Sequence, residues 1–329
     1  MKAPLLSICI ATYNRASKIG ETLNSIVNQL TDDVELLVVD GASTDNTEYV
    51  VRKYAQKESR IRYVRLPAKG GVDQDYDKAI ELAHGEFCWL FTDDDLLKAG
   101  AVTAVKNAIS KGYGLVVVNA EVLDINMIDV IEHARISIKE NKVYTVDQTE
   151  NLFVDTMAYL SFIGAVVIRR SIWLSNERVK YFGTEFIHIG VIFQKPLPEP
   201  ALIIAEPYIS IRYGNAQWKP RHFDIWMFKW PMLVWSFDHI SDQAKHCIVW
   251  KEPWRRLINL VLQRGRGVYT VHHYHNYFSA IHSSRLWKIS AWAISLLPIR
   301  ILAFFLYYYG RLIKANSLLI YDLNTKRKG

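Results

Sequence analysis

The stretch CWLFTDDDLL, residues 88–97, decides how this chain is read. Cys88, Trp89, Leu90 and Phe91 run through Thr92 into Asp93, Asp94 and Asp95, and the chain then returns to Leu96 and Leu97. A short apolar run bounded by polar residues reads as a strand covered on both faces. The three carboxylates then stand at the strand's carboxyl end. One aspartate there, or two, serves as a helix cap with an acidic first turn. A third in the same step asks for more. Hard divalent ions such as magnesium and manganese take carboxylate oxygens together with substrate phosphates. The triple aspartate is therefore a candidate cation site beside a phosphate-bearing ligand.

Working outward, LLSICIA at 5–11, VELLVVD at 34–40 and IRYVRLP at 61–67 are three earlier apolar strands. Between them, Ile19, Leu23, Ile26 and Val27 step by three and four, the spacing of a helix. GASTDNT is a turn that opens a second helix at about Asn46, and the KGG loop opens a third that stops at Gly85. LLKAGAVTAVKNAIS at 96–110 reads as a helix and GLVVVNA as a fifth strand. The alternation predicts an α/β fold, with a mostly parallel central sheet flanked by helices. In such sheets ligands bind at the carboxyl ends of the strands. The residues there are Thr12, Tyr13 and Asn14, then Asp40, then Lys69 with Gly70 and Gly71, and finally Asp93 to Asp95.

The chain has 329 residues, half of them apolar and 22% charged, which is a globular composition. Its net charge of +7 favours anionic partners. No basic patch interleaved with aromatics is present, so nucleic acid is not an expected partner. Three scattered cysteines, an odd count without a CxxC pair, argue against a disulfide framework or a zinc site and suit a reducing compartment. MKAPLLSICIATYN turns polar too soon for a signal peptide and reads as the first strand.

Residues 1–215 form the expected catalytic domain and 216–329 a helical C-terminal region. Within the latter, residues 286–314 are apolar but interrupted by Lys288, Pro298 and Arg300. The pieces are short for a membrane span, which needs about 20 apolar residues. Trp287, Trp292 and Tyr307 to Tyr309 favour the headgroup level, and Arg285, Lys288, Arg300, Arg311 and Lys314 suit anionic lipid. An in-plane interfacial segment is the preferred reading. The alternatives are a buried helical hairpin and a tilted span. The expected location is cytoplasmic, peripheral on the inner face of the cell membrane.

SICIATYNR, then ELLVVDGASTDNT, then KGG…YDKAIELAHGEFCWLFTDDD, in this order, resembles the inverting glycosyltransferases of family 2, which have the GT-A fold. The resemblance covers about the first 125 residues. It implies a nucleoside-diphosphate-sugar donor and a divalent metal, manganese or magnesium. It implies that Thr12 and Asp40 contact the base, that Tyr13 and Asn14 line the same loop, and that Lys69 is a base-contacting residue. The family's metal motif is commonly D-x-D-D. Here Thr92 holds its first place, so Asp94 and Asp95 are expected to hold the metal and the ribose–phosphate end. Asp93 occupies the variable place. Read without the resemblance, Asp40 simply starts an Asx-turn, and Lys69 is solvated.

An inverting transfer also needs a general base. The family draws it from a second acidic motif, often E-D. The nearest match is GTEFIHIG, which offers Glu185 and His188, i and i+3 on one face if helical. The competing reading makes His188 a core residue. Arg212, Trp218, Arg221 and His222 in IRYGNAQWKPRHFDIW are further candidates for diphosphate or sugar contact. This stretch is similar to abequosyltransferase-like enzymes of O-antigen assembly, which implies a glycan acceptor on a polyprenyl diphosphate. Two other readings stand beside it. One is a sugar-phosphate nucleotidyltransferase, against which the ATYNRAS loop argues. The other is a non-catalytic nucleotide-binding membrane scaffold.

Overall fold

The computed structural model describes residues 3–328. Met1 and Lys2, and with them the start of the N-terminal run, lie outside the described residues. Ten strands make one mixed sheet: β1 (Leu6–Thr12), β2 (Val34–Asp40), β3 (Ile61–Arg65), β4 (Phe87–Phe91), β5 (Leu96–Leu97), β6 (Leu115–Leu123), β7 (Val130–Glu132), β8 (Lys142–Tyr144), β9 (Val166–Arg169) and β10 (Ala201–Arg212). The order is β3-β2-β1-β4-β9-β6-β10-β5, with β7 on β6 and β8 on β10. β3, β2, β1 and β4 run parallel to one another, β9 runs against β4 and β6, and β10 is parallel to β6. β1, β2 and β4 are near-continuous apolar runs buried on both faces, whereas β3, at the end of the strand order, carries Arg62 and Arg65 and is only partly buried. Trp89 is fully buried, and its indole N–H donates to the Gly164 carbonyl at 2.9 Å.

The helices of this unit are α1 (Ile19–Val27), α2 (Thr47–Ala55), α3 (Val72–Leu82), α4 (Ala101–Ile109), α5 (Thr149–Leu160), α6 (Arg170–Leu174) and α7 (Ile187–Phe193). Two expectations are corrected. Leu96 and Leu97 do not begin a helix. They form β5, antiparallel to Ile209 and Ser210, and α4 starts only after Gly100, whose φ of 84° breaks the chain's direction. The segment 185–194 is helical only from Ile187, so Glu185 precedes α7 and does not share a helical face with His188.

Two compact units emerge. The first comprises the chain up to Asn215 together with Phe237–Ile248. The second comprises Ala216–Ser236 and the chain from Val249 onward. The C-terminal region is therefore not continuous, because α10 (Asp242–Ile248) packs on α5 in the first unit. Phe237 meets Phe153 edge-on, with ring centres 6.2 Å apart.

The second unit holds α8 (His222–Asp224), α9 (Trp230–Trp235), α11 (Leu257–Gly265), α12 (Val271–His273), α13 (Arg285–Leu296), α14 (Ile299–Leu312) and α15 (Ser317–Lys328). Its core is aromatic: Phe223 stacks on Tyr269, and Trp254 and Trp287 meet Phe278. α13 and α14 are bent by 99° at Leu297–Pro298, and no single helix among the described residues is long and apolar enough to cross a membrane. Their inner faces carry small residues, Ala291, Ser295, Ala303 and Gly310, against α11 and α15. Their outer faces leave Leu286, Trp292, Ile301, Phe305, Tyr309 and Leu312 exposed. The buried-hairpin reading is thus withdrawn for the outer half of this pair.

Candidate active site

The parallel register brings the strand ends together. Thr12 lies opposite Asp40, and Ile10 lies opposite Phe91, so the turn after β4 emerges beside the loop after β1. That loop is braced from the side. Asn14 adopts φ 54°, its N–H donates to Ser43 Oγ at 2.9 Å, and its amide oxygen accepts the Thr44 N–H at 2.7 Å. Asp45 accepts the N–H groups of Ala16 and Thr47. GASTDNT therefore acts as a clamp on TYNR, and the Asn14 side chain is spent on that clamp. The Arg15 N–H donates to Thr47 Oγ1 at 2.8 Å, and its carbonyl accepts Lys18 and Ile19 at the start of α1.

The clamp fixes where the Arg15 guanidinium reaches. Its Nε lies 3.1 Å from Asp93 Oδ1, and its Nη2 lies 3.2 Å from Asp94 Oδ2. Asn215 Nδ2 also donates to Asp94 Oδ2, at 2.8 Å. Both carboxyl groups are buried, at 9% and 8% exposure. Burial, and then the Asp94 charge, push Asp93 up to about 7, with Arg15 pulling the other way. Burial raises Asp94 too, opposed by Arg15 and Asn215. The Thr12 hydroxyl is buried without a hydrogen bond. It lies close enough to Asp93 to lower that carboxyl's pKa.

Asp95 is different, and here the sequence expectation is corrected. Its Oδ2 accepts the Thr92 hydroxyl at 2.5 Å, and its Oδ1 accepts the Arg212 N–H at 2.7 Å. Both oxygens face inward and the residue is 3% exposed. Arg212 closes the same turn: Nε donates to the Asp94 carbonyl at 3.0 Å, Nη1 to the Ile125 carbonyl at 3.0 Å, and Nη2 pairs with Glu21. Asp95 and Arg212 hold the turn's shape, and the open carboxylates are Asp93 and Asp94. These two suit a magnesium- or manganese-sized ion, which keeps several waters and needs only one or two protein carboxylates beside substrate phosphates. A guanidinium already stands where such a cation would be drawn. Among the described residues no group of three or more His, Cys, Asp or Glu converges on a metal position, so the fit is to a shared site and not to an all-protein cage.

On the base side, Asp40 is fully buried: Oδ1 accepts the Ser43 N–H at 2.7 Å and Oδ2 accepts the Tyr63 hydroxyl at 2.6 Å. The Asx-turn reading describes its geometry, and no oxygen of Asp40 faces outward. Tyr13 lies under the Lys69 ammonium, 3.7 Å from ring centre to Nζ. Asp75 lies between the ends of β2 and β3, accepting the Gly70 N–H at 3.1 Å. A Cβ on Gly41 or on Gly70 would come within 2.8 Å of its carboxylate.

The acid–base candidates separate clearly. His188 is 1% exposed, and its Nε2–H donates to the Leu160 carbonyl at 2.7 Å. Its Nδ1 is buried without a partner, and burial drives its pKa down to about 4. It is a neutral core imidazole, which withdraws it as a base. Glu185 is half-buried and adopts φ 73°, a conformation costly for any residue but glycine. Asp73 holds it there: Oδ2 accepts the Glu185 N–H and Oδ1 the Ile187 N–H, both at 2.9 Å. Asp73 is 4% exposed, and burial lifts it to about 6 against these hydrogen bonds. Further along α3, Asp77 Oδ1 accepts Trp173 Nε1 at 2.8 Å and Arg178 Nη1 at 2.9 Å.

In the second unit, His222 is buried between Trp218 and Trp226, at ring distances of 5.4 and 6.2 Å. Burial lowers its pKa to about 3. Trp218 and Arg221 are exposed.

The sequence reading gave no role to Arg15, Asn215 or the aspartates of α3. VDQDYD carries a signal for the latter: three acids at alternate positions of a helix cannot all lie on its solvent face.

The sequence matches the family described as "Glycosyl transferase family 2" over residues 7–165. It is 24% identical over 228 residues to abequosyltransferase RfbV of Salmonella typhimurium, covering 64% of this chain and 67% of that protein. It is 32% identical over 111 residues to the GalNAc(5)-diNAcBac-PP-undecaprenol beta-1,3-glucosyltransferase of Campylobacter jejuni, where the match spans 33% of this chain and 36% of that protein. In fold it is similar to S. aureus TarS 1-349 in complex with UDP, with a TM-score of 0.59 at 16% identity, covering 97% of this chain and 91% of that one.

Proposed function

We propose that this chain, which belongs to glycosyl transferase family 2 and has the GT-A fold, moves a sugar from a nucleoside-diphosphate donor to a glycan hydroxyl, with inversion, during assembly of a bacterial surface polysaccharide. The observation that carries this is the pair Asp93 and Asp94, buried at the strand-end rim and held by one guanidinium.

Asp93 and Asp94 would hold a divalent cation, which when bound neutralises charge on the departing diphosphate. Glu185 takes the proton of the acceptor hydroxyl as its oxygen bonds to the anomeric carbon. The bond from that carbon to the diphosphate oxygen breaks in the same step, and the nucleoside diphosphate leaves with its electron pair. Tyr13 and Lys69 line the base end. A glycan carried on a polyprenyl diphosphate is the acceptor this reading favours. Its support is the undecaprenol named for the Campylobacter relative, together with the exposed apolar and aromatic outer face of α13 and α14, which suits the headgroup level of an anionic bilayer. The enzyme would then work at the inner face of the cell membrane.

The test is a panel of UDP-, CDP-, GDP- and dTDP-sugars, assayed for donor hydrolysis and transfer with manganese, with magnesium and with EDTA. Asp94→Asn and Glu185→Gln run in parallel. Turnover of one donor class, lost in both variants, is expected. Donor binding without turnover under every condition would favour the non-catalytic scaffold. For the membrane part, wild type is expected to float with anionic vesicles and Phe305→Ser/Leu312→Ser to stay behind; equal flotation would remove α13 and α14 as the contact.

A further inference from the structure

Arg15 is the residue that the proposed chemistry leaves without a task. Its guanidinium divides itself between two acids, Nε to Asp93 and Nη2 to Asp94. Its remaining contact is weak, Nη1 at 3.5 Å from the Asn215 carbonyl. The backbone on either side is locked, by Thr47 on the N–H and by the first turn of α1 on the carbonyl. The side chain is 16% exposed, so it has a way out toward solvent. Only the side chain can move.

Charge decides where it goes. With both carboxyls ionised, as an incoming cation would hold them, Asp93 and Asp94 set two negative charges against the one positive charge of Arg15. The pair is thus under-neutralised and still draws a cation. A divalent ion neutralises both carboxylates by itself and repels the guanidinium at contact distance. A nucleoside diphosphate brings two to three further negative charges, and arginine's planar fork matches phosphate oxygens as well as it matches carboxylates. We infer that Arg15 is the resident counter-cation of Asp93 and Asp94 in the empty enzyme and a ligand of the donor's diphosphate in the loaded one, changing partners as the cation enters. The inference rests on the metal-dependent reading above and adds an occupant to it: the cation site is never bare, and the donor gains a contact that the metal has released.

A purely structural salt bridge and this partner exchange differ in sign. Manganese binding to the free protein is measured by electron paramagnetic resonance of unbound Mn²⁺, for wild type, Arg15→Gln and Arg15→Lys, with Asp94→Asn as the control that loses the site. Binding of the tightest of UDP, CDP, GDP and dTDP is then measured by calorimetry at saturating manganese. Arg15→Gln is expected to bind manganese alone about tenfold tighter, and the nucleoside diphosphate about tenfold weaker, each about 1.4 kcal/mol. Arg15→Lys, which keeps the charge without the fork, is expected to fall between on both. If the nucleoside diphosphate binds Arg15→Gln as tightly as wild type, the exchange is overturned and Arg15 is only a brace. If manganese alone binds Arg15→Gln no tighter than wild type, Arg15 does not hold the cation site and the inference also fails. If wild type itself binds no manganese, with or without nucleoside diphosphate, it is the metal reading that has failed. Circular dichroism melts of each variant identify any loss caused by misfolding.

Discussion

Two groups of three aspartates lie in the first unit, and their contrast separates architecture from chemistry. One is Asp73, Asp75 and Asp77 on α3; the other is Asp93, Asp94 and Asp95 after β4. All six are buried. On α3 each acid has its own partner. Asp73 takes the N–H groups of Glu185 and Ile187, Asp75 that of Gly70, and Asp77 those of Trp173 and Arg178. After β4 only Asp95 has both carboxylate oxygens so provided, by Thr92 and Arg212, while Asp94 takes one amide N–H from Asn215. For positive charge, Asp93 and Asp94 share the one Arg15 guanidinium between them. Buried charge is tolerated when it is paired. A pair short of positive charge is where a ligand completes the account.

The largest expected effect would break this contrast at its functional end. Asp94→Asn should lower transfer by roughly 10² to 10³, the scale of removing one group that stabilises developing charge. Its melting temperature should be equal to or above that of wild type, because a buried charge raised in pKa by burial has been removed. A fall in both activity and melting temperature would instead make Asp94 a structural residue like those of α3.

Asp77→Ala tests the opposite end. It leaves the buried Trp173 N–H and the partly buried Arg178 without their acceptor, and should cost about 2–3 kcal/mol in urea unfolding. Turnover per folded molecule should change little. A large loss of turnover in the fully folded variant would give α3 a chemical part.

Asp73 lies between these cases, and pH resolves it. Its folded pKa of about 6 stands above the ordinary 3.8, because burial outweighs its hydrogen bonds. The protonated form is therefore favoured in the folded state. Its contribution to stability is fully present below pH 3.8 and is lost as pH rises through 6. Wild type should lose about 2–3 kcal/mol relative to Asp73→Asn between pH 4 and pH 7. Parallel stability profiles would mean that its burial is relieved in solution. The smallest effect belongs to Asp75→Asn. The amide oxygen still accepts Gly70 and the burial-raised charge is gone, so stability at pH 7 should rise by less than about 1 kcal/mol, read from the urea midpoint.

Much of this was legible in the chain itself. Apolar runs at 5–11, 34–40 and 88–91 dictate buried parallel strands, because only a sheet covered on both faces hides every side chain of such a run. The three- and four-residue steps of Ile19, Leu23 and Ile26 dictate a helix between them. That alternation alone puts Thr12, Asp40 and the 93–95 turn on one rim. Tertiary structure decided what each polar residue does there. It turned Asp95 inward onto the Arg212 backbone, a residue 117 positions away. It closed Asp40 beneath Tyr63, and it sank His188 against the Leu160 carbonyl. It also left Glu185 ahead of its helix, held by Asp73 from across the fold. Side-chain periodicity follows from local backbone geometry and so can be read along the chain. The partner of a buried charge is set by whichever distant segment reaches it, and that is fixed only when the whole chain has folded.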